Sequence, residues 1–300
     1  MELSAVFALL AALSWTLAGL TGHAPARALG SLHFNRLRMV VASAWLAMMI
    51  LITGGQFSLS TEFLMPVIAS SLIGVVVGDY FLFVTMRRLG PRRTAILFAA
   101  NAPIAAILGW LFLGQTLSTQ VIFAIFLGFI GVILAIIYGK RRDLLHVWED
   151  VLPPLWIGVG AGFMAALGQA VGVFLLQPAM AAGADPLVAA LLRAVIAALC
   201  FWLIFPFERS KSVPISSLSK RMWMMIALNG FFGLSFGLAL LLKALETGKL
   251  ADVTMLSSVG PVIILPFIWY QTRKMPAPGA WFGAVLVVAC TWLLAIADKG

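Results

Sequence analysis

Ten stretches of this chain are long and apolar enough to cross a bilayer, and little chain is left between them. They lie at 3–21, 35–54, 64–85, 94–113, 119–139, 155–177, 186–207, 221–243, 250–270 and 280–297. About 20 apolar residues in a helix span the hydrocarbon core. No water is present there to bond a free N–H or C=O, so a spanning segment is a helix or part of a closed barrel. Barrel strands alternate apolar and polar residues. These runs do not, which predicts an all-α integral membrane protein of ten transmembrane helices. The connections are too short to hold a separate soluble domain.

Charge supports lipid as the solvent. Only 10% of residues are charged and 62% are hydrophobic, against about 25% charged in a soluble domain. The net charge of +9 sits mainly between the runs, where it sets orientation rather than binding nucleic acid. The connections after runs 1, 3, 5, 7 and 9 hold most of it. They carry Arg27, Arg36, Arg38, then Arg87, Arg88, Arg92, Arg93, then Lys140, Arg141, Arg142, then Arg209, Lys211, Lys220, Arg221, and last Arg273 and Lys274. The opposite side has Arg193, Lys243, Lys249 and Lys299. The positive-inside rule places the odd-numbered loops in the cytoplasm and both termini across the membrane. A cleaved leader is the weaker reading of the first run, whose flank holds Glu2 rather than a basic cluster.

The chain repeats itself. The hairpin from Ser71 to Pro103 pairs an apolar helix bearing Asp79 with a basic turn and a second apolar helix. A degraded copy runs from Gly230 to Pro261. Gly74 and Gly78 match Gly233 and Gly237, Gly90 matches Gly248, Pro103 matches Pro261, and Arg38 matches Arg193. The units are 1–145 and 151–300, five helices each. Five is odd, so the second unit enters the membrane inverted. Inverted repeats around a shared midplane site are a transporter design.

Candidate pathway residues follow from the cost of polar groups in lipid. Asp79 lies about two turns inside the basic end of the third run. Intramembrane acids face a cavity, a partner or a proton path. It is a candidate for a substrate ammonium contact or protonatable switch, or for a structural contact to Arg87 or Arg88 snorkelling back. Pro103 removes a backbone bond and frees the carbonyl of Ala99, beside Asn101. Pro261 repeats this after Ser257 and Ser258. Such loosened backbone is tolerated where it lines a cavity. Ser14, Trp15, Tyr80, Gln169 and Ser235 are candidate cavity walls, each with packing as the plainer alternative.

Other chemistries find no support. No phosphate-binding loop, HExxH or GxSxG is present. His23, His33 and His146 fall in connections without metal-ligand spacing. Cys200 and Cys290 lie deep in apolar runs and suggest neither disulfide nor metal. Asp79 and Asp252 are placed too differently for an aspartyl dyad. Neither cofactor nor metal is expected.

The strings GDYFLFVTMRRLGPRRTAILFAANAP and FLGQTLS, with an arginine opening the second helix of each unit, resemble the drug/metabolite transporter superfamily of the EamA type. The resemblance spans nearly the whole chain. Within it the chain is most similar to bacterial amino-acid exporters of the YddG type. That resemblance implies helices 1, 3, 4, 6, 8 and 9 around a central cavity, with 5 and 10 behind. It departs at Gln115, where the family usually has Glu, and the second unit has Arg273 there. The reading is a bacterial inner-membrane exporter of small organic solutes, amino acids first, working by alternating access. A multidrug or other metabolite exporter is the alternative, and a membrane enzyme or sensor the third. The expected partners are substrate and lipid, with a monomer as the working unit.

Overall fold

The computed structural model describes residues 3–55, 60–116, 118–138, 153–204, 214–260, 262–263, 275 and 277–297. All secondary structure among them is helical. We number the helices α1 (Leu3–Leu29), α2 (Ser31–Thr53), α3 (Thr61–Gly90), α4 (91–98 and Asn101–Phe112) and α5 (Thr119–Tyr138). Then come α6 (Leu155–Ala181), α7 (Pro186–Ile204), α8 (Lys220–Ala244), α9 (Leu250–Ser257) and α10 (Pro278–Ala297). Six of these (α1, α2, α3, α6, α7 and α8) are long and apolar enough to cross a membrane. Shorter apolar helices lie at Asn101–Phe112, Thr119–Leu134 and Pro278–Cys290.

Several helices outrun their apolar stretches. α1 continues to Leu29 and α2 starts at Ser31, with only Gly30 between them at φ 87°. His23 and His33, expected in connections, are therefore buried helical residues. Arg36 and Arg38, counted above as loop charges, lie in the first two turns of α2 and are also buried. The reason is that a helix ends where its backbone bonds end, not where hydropathy drops. The α3–α4 turn depends on Gly90, at φ 78° and ψ 165°, a conformation that a Cβ would penalise. Its sequence match Gly248 is not among the glycines with positive φ, so the two turns differ in shape.

Neither hairpin helix is a plain α-helix. α3 carries a π-helical stretch at Ser71–Val77, and α8 carries one at Gly230–Phe236. The matched glycines put them at the same place in the repeat. A π turn inserts an extra residue, loosens the backbone ladder and recurs at functional sites.

Packing is reciprocal between the two halves. α1 packs on α8 and α9, and α6 packs on α3 and α4. α2 lies against α7, and α5 against α10. The helices expected around the centre, α1, α3, α4, α6, α8 and α9, touch one another, while α5 and α10 make their main contact with each other. Alanine dominates the core, with Ala8, Ala11, Ala105, Ala165, Ala189 and Ala194 fully buried. Small side chains let helices approach where no hydrophobic effect drives them together.

Candidate functional site

The π stretches are where the halves grip each other. In the first half, Gly74 and Gly78 of α3 meet Gly172 and Gly168 of α6. A Cβ on Gly172 would lie 2.7 Å from the Cα of Gly74, and one on Gly168 would lie 2.9 Å from that of Gly78. The Ser70 hydroxyl donates to the Gly172 carbonyl. In the second half, α8 meets α1 through side chains. Ser14 Oγ donates to the Phe232 carbonyl at 2.7 Å, and Trp15 Nε1 donates to the Gly233 carbonyl at 2.9 Å. Both carbonyls belong to the π stretch, whose loosened ladder leaves acceptors to satisfy. Ser235 Oγ, fully buried, lies 3.1 Å from the carbonyls of Ala42 and Gly230. The hydroxyls of Ser14 and Ser235 and the indole N–H of Trp15 are thus engaged with backbone. Tyr80 is exposed and Gln169 half-buried.

A buried arginine stands at each grip. Arg38 of α2 reaches Asp79 of α3 with Nη2, and its Nη1 donates to Asn229 Oδ1 of α8 at 3.3 Å. Its guanidinium also stacks over the Phe83 ring at 4.8 Å. Asn229 Nδ2 donates onward to the Ala18 carbonyl at 2.7 Å, and Asn35 Nδ2 donates to the Asp79 carbonyl at 3.3 Å. Asp79 is thus paired with a cation, as a buried charge requires. The cation comes from α2, not from Arg87 or Arg88 on its own helix. Arg87 is exposed, and Arg88 donates to the Pro153 carbonyl.

Arg193 of α7 is the counterpart of Arg38 and is 1% exposed. Its Nη2 lies 3.5 Å from the Ser70 carbonyl, while Ser71 Oγ donates to the Arg193 carbonyl at 2.7 Å. Its guanidinium lies against Gly74, where a Cβ would come within 2.8 Å of Nη2. Gly233 stands in the same relation to Arg38, at 3.5 Å. Asp79 is within electrostatic reach of both arginines. By hydropathy alone both arginines resemble topology charges. Their matched positions in the repeat were the available signal.

The two helix breaks also meet. The α4 turn at Ala99–Ala100 lies just before Pro103. The Ala99 carbonyl that the proline frees accepts from Ala102 N–H at 3.3 Å. Asn101 Nδ2 donates to the Phe98 carbonyl at 2.6 Å and lies 3.4 Å from Ser258 Oγ. Ser258 stands at the end of α9, where its hydroxyl and that of Ser257 both donate to the Thr254 carbonyl. Gln115 ties the halves nearby, its Oε1 accepting from Leu250 N–H at 3.1 Å. Among the topology residues, Arg93 is exposed. Pro261, Lys140, Arg141, Arg142 and Arg273 lie outside the described residues.

Comparisons with known proteins agree with this architecture. One solved structure, described only as the crystal structure of a protein, superposes with a TM-score of 0.75 at 15% identity, over 99% of this chain and 97% of that one. No curated protein matches the chain. The sequence profile of the EamA-like transporter family matches twice, over residues 3–137 and 156–296. The two matches fall on the two reciprocally packed halves and together cover nearly the whole chain, which therefore belongs to the EamA-like transporter family.

Proposed function

We propose that this multi-pass membrane transporter exports small organic solutes, amino acids first, across the bacterial inner membrane. It does so by alternating access, with ten spans arranged as two inverted five-helix units and the odd-numbered loops in the cytoplasm. The observation that carries the reading is the cluster of one half-buried carboxylate, Asp79, and two buried guanidiniums, Arg38 and Arg193, where the units meet. Ionised groups in a membrane interior are costly and mark substrate or ion pathways. A cluster holding both signs suits a zwitterion, and the neighbouring amides of Asn229 and Asn35 suit its polar head. The side chain would rest on apolar helix faces. Alternating access also needs joints at matching places in the two units. The paired π stretches and the Asn101–Ser258 contact between the broken helices supply them.

A cationic-drug exporter fits this cluster less well. Such a carrier leans on an uncompensated acid, and Asp79 is held by Arg38. The deciding experiment is efflux and counterflow in proteoliposomes with a panel of amino acids, with and without a pH gradient. A C-terminal reporter fusion reads the orientation in the same strain. Saturable flux of at least one amino acid is expected, and it should fall in Asp79→Asn. No flux for any amino acid would overturn the substrate assignment.

A further inference from the structure

The two arginines at the unit boundary are equivalent in position but not in company. Each opens the second helix of its unit and lies against a π-stretch glycine on the third helix of the other unit, Gly233 for Arg38 and Gly74 for Arg193. Arg38 has a carboxylate from its own unit, Asp79, and a side-chain acceptor from the other, Asn229. Transferring that arrangement through the repeat gives Arg193 the residues at 238 and 70. Position 238 is Leu, and position 70 is Ser. Leu238 is buried on α8, which packs against α7, so the position matching the acid carries an apolar side chain. Ser70 offers Arg193 only its backbone carbonyl, at 3.5 Å. Among the described residues nothing accepts from Arg193 Nε or Nη1.

A buried guanidinium with unmet donors is expensive, because its lost hydration is not replaced. The edge formed by Nε and an Nη binds carboxylates in a bidentate fork. The cluster as a whole carries two cations and one anion, so it is short of one negative charge. Arg193 is also placed where motion would uncover it. It sits against the Gly74–Gly172 contact, a seam made largely of backbone on backbone. Sliding that seam would move the Gly74 backbone off the guanidinium.

We propose that Arg193 is a carboxylate-binding residue of the transport site. The substrate's carboxylate takes the place that Asp79 fills in the Arg38 socket. This rests on the exporter reading above and narrows its substrates to solutes bearing a carboxylate. Leu238 keeps the socket free of an in-chain acid, so the anion must be brought by the cargo.

The test uses the purified full chain and four probes of similar size: leucine, leucinamide, isocaproate and isoamylamine. Thermal stabilisation in detergent reads binding, and competition against radiolabelled leucine in proteoliposomes reads transport. The two carboxylate-bearing probes should act roughly tenfold or more better than the two without, since a site built for a polar group rejects analogues lacking it. Arg193→Met should lose that preference, and Arg193→Lys should keep part of it. Leu238→Asp offers Arg193 an internal carboxylate and should weaken both carboxylate probes by roughly tenfold or more. Preference intact in Arg193→Met, or no stabilisation of wild type by either carboxylate, overturns the proposal. If Arg193→Met does not fold, an undiminished preference in both Arg193→Lys and Leu238→Asp overturns it instead. The exporter reading fails separately. No flux of any solute, with Arg193-dependent stabilisation retained, removes transport and leaves the anion site standing.

Discussion

The α3–α6 seam and the α1–α8 seam occupy matching places in the two units, yet different chemistry holds them. The first is mainly glycine on glycine, with Gly74 and Gly78 against Gly172 and Gly168, and with few side-chain bonds across it, chiefly from the Ser70 hydroxyl to the Gly172 carbonyl. The second is a clamp of side chains, Ser14, Trp15 and Asn229 on α8 and α1 carbonyls. Close backbone contact is sensitive to bulk but has little angular preference, so it can slide. A set of directed hydrogen bonds holds one register. Duplication thus preserved the joint and let its two copies diverge, one toward a sliding surface and one toward a latch.

The largest difference should appear at the arginines. Arg38→Met removes the ion-pair partner of the half-buried Asp79, and breaking a buried pair costs up to about 3–5 kcal/mol. Arg193→Met removes a cation with unmet donors, so its cost should be small and its sign can be favourable. Denaturant or thermal unfolding of both variants in one detergent gives the comparison. An Arg38→Met cost under about 1 kcal/mol would mean that Arg193 swings over to take Asp79, and that the two sockets are exchangeable.

The glycines come next. A Cβ on Gly172 meets the Gly74 Cα at 2.7 Å, and a backbone atom cannot step aside as a side chain can. Overpacking of this kind costs about 1–3 kcal/mol. The Gly74 counterpart, Gly233, has its nearest atom at 3.5 Å, an ordinary contact. Gly172→Ala should therefore destabilise and slow flux, while Gly233→Ala should change the melting temperature little. Equal effects at the two sites would erase the distinction between sliding and latched seams.

These contrasts mark how far the sequence could be read. The apolar runs locate the helices, because lipid leaves the backbone no other way to satisfy itself. The matched glycines locate the two joints, because only close approach calls for glycine at that spacing within a helix. The π stretches were not legible, since Ser71–Val77 and Gly230–Phe236 are residues that an α-helix accepts equally well. In α8 the wider turn comes with carbonyls bonded from another helix, Phe232 by Ser14 and Gly233 by Trp15. Asp79 was legible as a costly residue, but its partner was sought on its own helix. The true partner, Arg38, is 41 residues away on α2, where a falling hydropathy profile made it resemble a loop charge. Ser14 and Trp15 stand out in the sequence as candidate cavity walls, and the structure bonds both to carbonyls of α8.

The smallest expected effect concerns a third contact between the units. Gln115 Oε1 accepts from the N–H of Leu250, the first residue of α9. That N–H is one of those a helix cannot satisfy within itself, and a helix N-terminus carries a partial positive charge. A neutral amide meets the hydrogen-bonding need but not the electrostatic one. Gln115→Glu keeps the acceptor and adds a negative charge at a half-buried position. A favourable effect of about 0.3–1 kcal/mol is expected, diminishing as salt is added. The test compares the melting temperature of wild type and Gln115→Glu at low and high ionic strength. A gain that survives high salt would point to packing against Gly109, whose Cβ position lies 2.7 Å from this oxygen. A loss would mean that the amide nitrogen of Gln115, which the carboxylate lacks, also holds the two units together.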